Sequence, residues 1–347
     1  MQPPRRDPHL LFFGSGPARH GESSTDQVTT AIGATELSAC LHQYGLQANG
    51  PARLLPGGHV GQSAVVPTAQ GLLVVKRCNR RFDPARVQLA AQAHQHAARA
   101  GLAPPLRLTR DGRWTAQVDD ATYTVAEYVD HAKQAGPAAF AAALAALHNH
   151  LESFSPQSPC ADFLQLPDPP GADLERVRRQ ADDAASREAI DWRIAILAEF
   201  GLDAQSLAAV PRSWVHGDAR PDNLLIARSP DRRLFIDFDQ VSRFPRPYEI
   251  VRAFMACISP GLSADLLVST FRDYLNAYQA VAPIHATDRA IMIDLYLTVQ
   301  AAETRTFTTP EGEIRGMPAF ARARHQQLTW FIEHSGLLRG VAKEAQP

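Results

Sequence analysis

Lysine is almost missing from this chain. Of 35 basic residues among 347, only Lys76, Lys133 and Lys343 are lysines, the others being arginine. Asparagine is nearly as scarce, at Asn49, Asn79, Asn149, Asn223 and Asn276. A sequence so sparing with both residues has a chemical reason where one sits inside an apolar stretch. The four cysteines, Cys40, Cys78, Cys160 and Cys257, are far apart and form no CxxC pair, which argues against a zinc module or a disulfide framework. Neither charge dominates: 35 basic and 36 acidic residues leave a formal charge of −1, so no global attraction to nucleic acid or to an anionic membrane is expected. No apolar run approaches the ~18 residues of a membrane span. Leu10 to Phe13, behind Arg5-Arg6, is too short for a secretory core, and a cytoplasmic location is the expectation. What is present is a 45% hydrophobic, 20% charged composition, enough to bury a core, at a length that admits two lobes.

Residues 1–33 mix Pro, Gly, Ser and Thr without apolar period and read as a flexible tail. A short amphipathic helix is expected over Glu36 to Tyr44. Two extended runs follow, Ala64 to Pro67 and Leu72 to Arg77, with Gln70-Gly71 as the turn. Asp83-Pro84 opens a helix, Asp as N-cap and Pro in its first turn, and Gly101 closes it. Trp114 to Val118 and Tyr123 to Tyr128 then read as strands joined at Asp119-Asp120. The order predicts a small antiparallel sheet carrying one helix over 34–130. From about residue 131 the pattern turns helical, beginning with the alanine-rich stretch from Gly136-Pro137 to Leu151. A short β pair, Leu224 to Ala227 and Leu234 to Phe238, interrupts it. The helical part is expected to run to 340, with 341–347 a tail.

The chemistry concentrates in Trp214-Val215-His216-Gly217-Asp218-Ala219-Arg220-Pro221-Asp222-Asn223, which runs into the apolar Leu224-Leu225-Ile226. Asp237 follows fourteen residues after Asn223. A hairpin would bring Asn223 and Asp237 together, offering an amide oxygen and a carboxylate to a hard cation such as Mg²⁺. Asp218, slightly upstream, is then free to accept a proton from a hydroxyl. Asp239 is placed as a second metal contact or as an exposed side chain.

This string resembles the catalytic loop of the aminoglycoside phosphotransferase and choline kinase superfamily, which shares its fold with protein kinases; the likeness spans 36 to about 260. The resemblance implies an α+β, two-lobed protein-kinase-like fold, with ATP or GTP as phosphate donor and Mg²⁺ as cofactor. In the kinase pattern of H-R-D, Asn and D-F-G, the matching residues are His216, Asp218, Asn223 and Asp237. The resemblance makes Asp218 the base and gives the metal to Asn223 and Asp237. Arg220 falls where kinases place a cation near the transferred phosphate, and His216 is expected to brace the loop through hydrogen bonds. Lys76, ending an apolar strand, matches the lysine that meets the α- and β-phosphates. Gly57, Gly58 and Gly61, with Gln62 and Ser63, precede that strand and could let backbone N–H groups approach phosphate. Ala126 to Val129 resembles the interlobe hinge, with Glu127 and Val129 presenting backbone to the adenine. Kinases pair the strand lysine with a helix glutamate. The helix from Pro84 to Ala100 has no carboxylate, and Gln92 is the nearest substitute unless another acid reaches in. Leu147-His148 is expected to support the loop, and Glu249 to take the place of an aspartate that braces it.

The leading expectation is transfer of phosphate to a hydroxyl of a small molecule, since the sequence passes from Asp237 into Tyr248 with little room for an activation loop. Residues 151–215 hold eleven acidic and six basic side chains, a weak hint of a cationic acceptor such as an amino sugar or amino alcohol. Homoserine and sugars stay open, as does a protein hydroxyl. The competing classes are a nucleotide-binding module without turnover and a metal-dependent hydrolase built on His216, Asp218 and Asp237. The sequence leaves the oligomeric state open.

Overall fold

Alternating apolar residues build the first sheet. In the computed structural model, which describes residues 32–55, 62–80, 82–131, 135–157, 160–228, 232–305, 307–308 and 319–345, helix α1 (Ala34–Gln43) leads into β1 (Arg53–Leu54), β2 (Gln62–Thr68) and β3 (Gly71–Arg77). Helix α2 (Pro84–Arg99) follows, then β4 (Thr115–Val118) and β5 (Ala121–Glu127). All five strands pair antiparallel in the order β1-β2-β3-β5-β4. Ala64, Val66, Leu73, Val75, Tyr123 and Val125 point to one face and pack with Leu37, Cys40 and Leu41 of α1. Burying each large side chain is worth about 1.5–3 kcal/mol, so α1 is a true layer of the lobe. The helix that covers the sheet's apolar face is therefore α1, not the one between the two strand pairs. The tail expected over 1–33 lies, up to residue 31, outside the described residues, as do Gly57, Gly58 and Gly61.

Helix α2 begins as its sequence requires. The Asp83 side chain accepts the Arg86 N–H at 2.8 Å, Pro84 fills the first turn, and Gly101 leaves the helix at φ +71°. Its Leu89, Ala93 and Ala97 do not join the core of the small lobe. They belong to the large core that includes Phe140, Leu144 and Phe235, so α2 is the element through which the lobes share apolar contact.

The second lobe is mainly helical. Its elements are α3 (Pro137–Leu151), α4 (Ala172–Gln180), α5 (Ala184–Phe200), α6 (Ala204–Ala209), α7 (Arg246–Cys257), α8 (Ala264–Gln279), α9 (Ala286–Ala301) and α10 (Ala319–Glu344). Eight residues of α3 are buried, from Phe140 to Leu151. Four short strands, β6 (Ser213–Val215), β7 (Leu224–Ile226), β8 (Arg233–Phe235) and β9 (Ser242–Phe244), form two antiparallel ladders, β6 with β9 and β7 with β8. These ladders fix the loops 216–223 and 236–241 at both ends. Strand β8 stops earlier than the sequence predicts, because Phe238–Gln240 turns into a 3₁₀ helix. The expected tail at 341–347 is also corrected: α10 continues through Glu344, with Val341 and Ala342 buried in the core.

Candidate active site

Strand β6 delivers the chain into His216, Gly217 and Asp218. Gly217 has φ +82°, and a Cβ there would lie 1.9 Å from the backbone oxygen of Gln240. Loop 216–223 and segment 236–241 thus touch backbone to backbone, which only glycine permits. The buried His216 ring packs against Phe235 and Phe238. Its Nε2 bonds the Ile236 carbonyl at 3.0 Å, tying the loop to the segment before Asp237. The buried Glu249, from α7, accepts the His216 N–H at 2.9 Å and the Gly217 N–H at 2.5 Å. His148, from α3, donates Nε2–H to Glu249 at 2.8 Å and accepts the Tyr278 hydroxyl on Nδ1 at 2.7 Å; a carboxylate partner fixes that tautomer. Burial pushes the Glu249 carboxyl up, but the His148 hydrogen bond and neighbouring positive charge outweigh it and hold it below the usual range. Burial keeps His148 low, hence neutral.

Beyond this brace, Asp218 Oδ1 accepts Arg252 Nη2 at 2.7 Å, while the other terminal nitrogen of Arg252 donates to the Gly217 carbonyl. Asn223 Nδ2 donates to the Asp218 carbonyl at 2.9 Å and to Asp218 Oδ2 at 3.2 Å. The Asn223 carbonyl accepts the Ile236 N–H at 3.0 Å, so the hairpin does set Asn223 beside the residue preceding Asp237. Asp237 itself sits at φ +66° and takes Lys76 Nζ on its Oδ1 at 2.6 Å; Asp239 Oδ1 takes the same ammonium at 2.8 Å. Four distant positions, 76, 218, 223 and 237, are therefore brought together by one run of hydrogen bonds. Burial alone would lower the Lys76 pKa, but Asp239 and Asp237 raise it above its ordinary value. Burial likewise pushes Asp237 up, and Lys76 reverses the shift. Asp239 is no exposed side chain, and the 3₁₀ turn rather than an extended strand brings it alongside Asp237.

Other expectations resolve differently. Gln92 does not hold Lys76: its Oε1 accepts the Gln157 N–H at 2.9 Å, and Gln88 is taken by Thr115. Acids at and within the 3₁₀ turn hold the lysine instead. Arg220 pairs with exposed Asp222 at 2.8 Å, outside the lysine cluster. Ser63 lies directly across the ladder from Lys76, and Gln62 across from Arg77, so the hairpin leading out of residues 57–61 lies over the lysine strand. In the hinge, the Glu127 N–H is taken by the Pro105 carbonyl at 3.2 Å, and its side chain by Arg107 at 3.2 Å. Val129 accepts His131 Nδ1 on its carbonyl at 3.0 Å, and its N–H makes no hydrogen bond among the described residues. A cavity of about 240 Å³ opens on this segment between Pro104, Pro105 and Leu234. It flanks the hinge and is lined by none of positions 76, 218, 223 and 237.

Sequence reasoning missed Arg252 and Arg86. Arg252 lies three residues after Glu249 on one helix face, a signal available once Glu249 is placed. Arg86 donates Nε–H to the Asp239 carbonyl at 2.9 Å and a terminal N–H to the Val241 carbonyl; in an arginine-rich chain nothing marked it.

The donors fit a hard cation. With its Nδ2 on Asp218, Asn223 keeps Oδ1, and with Oδ1 on Lys76, Asp237 keeps Oδ2. Among the described residues no group of three or more His, Cys, Asp or Glu could hold a metal alone. Mg²⁺ is commonly held by one or two protein ligands plus substrate phosphates, which is what Asn223 and Asp237 offer.

The phosphotransferase enzyme family pattern matches residues 52–284. No curated protein matches the chain significantly. Among solved structures, an amicoumacin kinase in complex with AMP-PNP and Ca²⁺ is similar, with TM-score 0.61 and 12% identity over 87% of this chain and 92% of its own. A microcompartment-associated aminopropanol kinase gives 0.58 and 17% over 89% and 98%. A choline kinase from Cryptosporidium parvum Iowa II gives 0.53 and 12% over 84% and 91%. At these identities the likeness shows a shared kinase-like fold. No helix among the described residues is long and apolar enough to cross a membrane.

Proposed function

The chain belongs to the phosphotransferase enzyme family and is a phosphotransferase with an alcohol group as acceptor; we propose that it moves the γ-phosphate of ATP or GTP onto a small molecule. The observation that carries this reading is the convergence of Lys76, Asp218, Asn223 and Asp237 in one run of hydrogen bonds. Lys76 presents a compact ammonium to phosphate oxygens. Asp218, held by Arg252 and Asn223, orients the acceptor hydroxyl and takes its proton. Arg220, at the loop's exposed edge, turns from Asp222 toward charge on the transferring group. Asn223 and Asp237 would hold Mg²⁺, which would supply positive charge to offset that of the phosphates. Most of the rate then comes from positioning and electrostatic stabilisation. The similar kinases are named for amicoumacin, aminopropanol and choline, which favours an acceptor of the amino-alcohol or amino-sugar kind over homoserine or a plain sugar. The loop Gly57 to Ser63 and the Val129 N–H are the parts that would receive the nucleotide's phosphates and base.

Calorimetric titration with Mg-ATP and Mg-GTP, followed by a transfer screen over hydroxyl-bearing amines, hydroxy amino acids and sugars, tests the reading. Lys76→Ala should abolish nucleotide binding while Lys343→Ala, at the exposed end of α10, leaves it intact. Asp218→Asn should bind nucleotide and transfer nothing. Equal binding by the two lysine variants, or binding by the wild type without transfer to any acceptor, overturns the proposal.

A further inference from the structure

In kinases a glutamate on the helix after the lysine strand keeps that lysine aligned. Here that helix, α2, contributes no acid between Pro84 and Arg99, and its three glutamines, Gln88, Gln92 and Gln95, are each bonded to another partner. The lysine nevertheless has two carboxylates, and they are not equivalent. The Asp237 side chain is 43% exposed and that of Asp239 19%. Asp237 is also the one that a cation would draw away. A partly buried ammonium left alone is costly, so a second acid must stay when the first leaves. Asp239 is built to stay. Arg86, itself 4% exposed, donates to the Asp239 and Val241 carbonyls, and its guanidinium lies over the Phe163 ring at 5.6 Å. Phe238, one residue earlier, is wedged between His94 and His216. The turn that aims Asp239 is thus held from α2 on one side and from the loop at 216 on the other.

We propose that Asp239 is a positioning residue, the standing counter-ion that keeps Lys76 aligned for phosphate in place of the absent helix acid, with Arg86 of α2 anchoring the turn that carries it. The coupling between helix and lysine then runs through a cation on backbone carbonyls instead of an anion on the lysine. This rests on the reading that Lys76 meets nucleotide phosphate.

The test is a double-mutant cycle of Lys76→Met and Asp239→Asn on urea unfolding of the full chain, run without metal or nucleotide. The two substitutions should couple at least roughly tenfold in the folding equilibrium, as charge-assisted contacts do. In turnover, Asp239→Asn should lower kcat roughly tenfold while changing the nucleotide KM less, as loss of alignment does. Asp239→Glu should recover part of it. Additive effects in that cycle or an unchanged kcat would each overturn the proposal. If Asp239→Asn does not fold, Asp239→Glu, which keeps the charge but displaces it, carries the turnover test: kcat should fall with the nucleotide KM less changed, and an unchanged kcat overturns the proposal. A wild type that Mg-ATP does not stabilise speaks against the functional reading instead, and the metal-free cycle still tests whether Asp239 holds Lys76.

Discussion

Replacing Glu249 by alanine should damage the protein far from any substrate. The carboxylate accepts three buried donors: the N–H groups of His216 and Gly217, and Nε2–H of His148. Truncation leaves all three without an acceptor, and each orphaned buried donor costs about 1–3 kcal/mol. If rearrangement satisfies one of them, the two left orphaned cost about 2–6 kcal/mol together, against the ~5–15 kcal/mol of a typical domain. Glu249→Gln keeps the volume and one oxygen but turns an amide N–H toward a donor, and it should lose about half as much. Urea unfolding followed by fluorescence of the four tryptophans measures both. The alanine variant should unfold at clearly lower urea with an unchanged slope, and nucleotide transfer should fall even at temperatures where it stays folded. If Glu249→Ala unfolds at the wild-type midpoint, the carboxylate does not brace the loop and the account of His148 falls with it.

Two further outcomes follow from the same geometry. Gly217→Ala combines a left-handed backbone with a Cβ driven into the Gln240 carbonyl; transfer activity should be lost together with a lower melting temperature, and an active variant of normal stability would refute the backbone-to-backbone packing. His94 is pushed down to about 4, mainly by burial and further by the nearby Lys76 charge. The unfolded chain therefore takes up a proton below pH ~6.5 that the folded chain refuses, so stability present above that pH is lost as pH falls toward 4. His94 alone should remove ~2 kcal/mol by pH 5. Urea midpoints at pH 7.5, 6 and 5 check this, and a flat profile, or one that His94→Gln leaves as steep, would contradict it.

What the sequence made legible is what short-range rules control. Asp83-Pro84 and Gly101 set the limits of α2 because a side-chain cap and a positive φ are local demands. The string from His216 to Asn223 disclosed its chemistry because the loop geometry needs those residue types at that spacing. Lys76 stood out because lysine is so scarce. The misses share a different cause. Gln92 was assigned by its place on a helix, but helical rotation relative to the sheet is set by packing with the other lobe, and no local pattern reports it. Strand β8 was drawn too long because Ile236 to Phe238 is apolar in strand and 3₁₀ turn alike. The end of α10 looked like a tail because Val341 and Ala342 find their apolar partners only in tertiary structure.

The arrangement around Lys76 also shows how a missing residue type should be read. An absent helix acid argued for a degenerate site only on the assumption that the acid must come from the helix. Physical chemistry asks for something weaker: that a partly buried ammonium have a carboxylate within hydrogen-bond reach, and that the carboxylate be fixed. The 3₁₀ turn after Asp237 meets the first requirement with Asp239, and Arg86 meets the second by holding the turn's backbone. The charge that kinases place on the helix has moved to the opposite lobe, and a charge of opposite sign has taken its place on the helix. Lys76 keeps a carboxylate partner, supplied from the second lobe, while Arg86 of α2 holds that partner's backbone, so the lack of a glutamate in α2 is by itself no evidence against turnover. The balance of charge around Lys76 is what decides it.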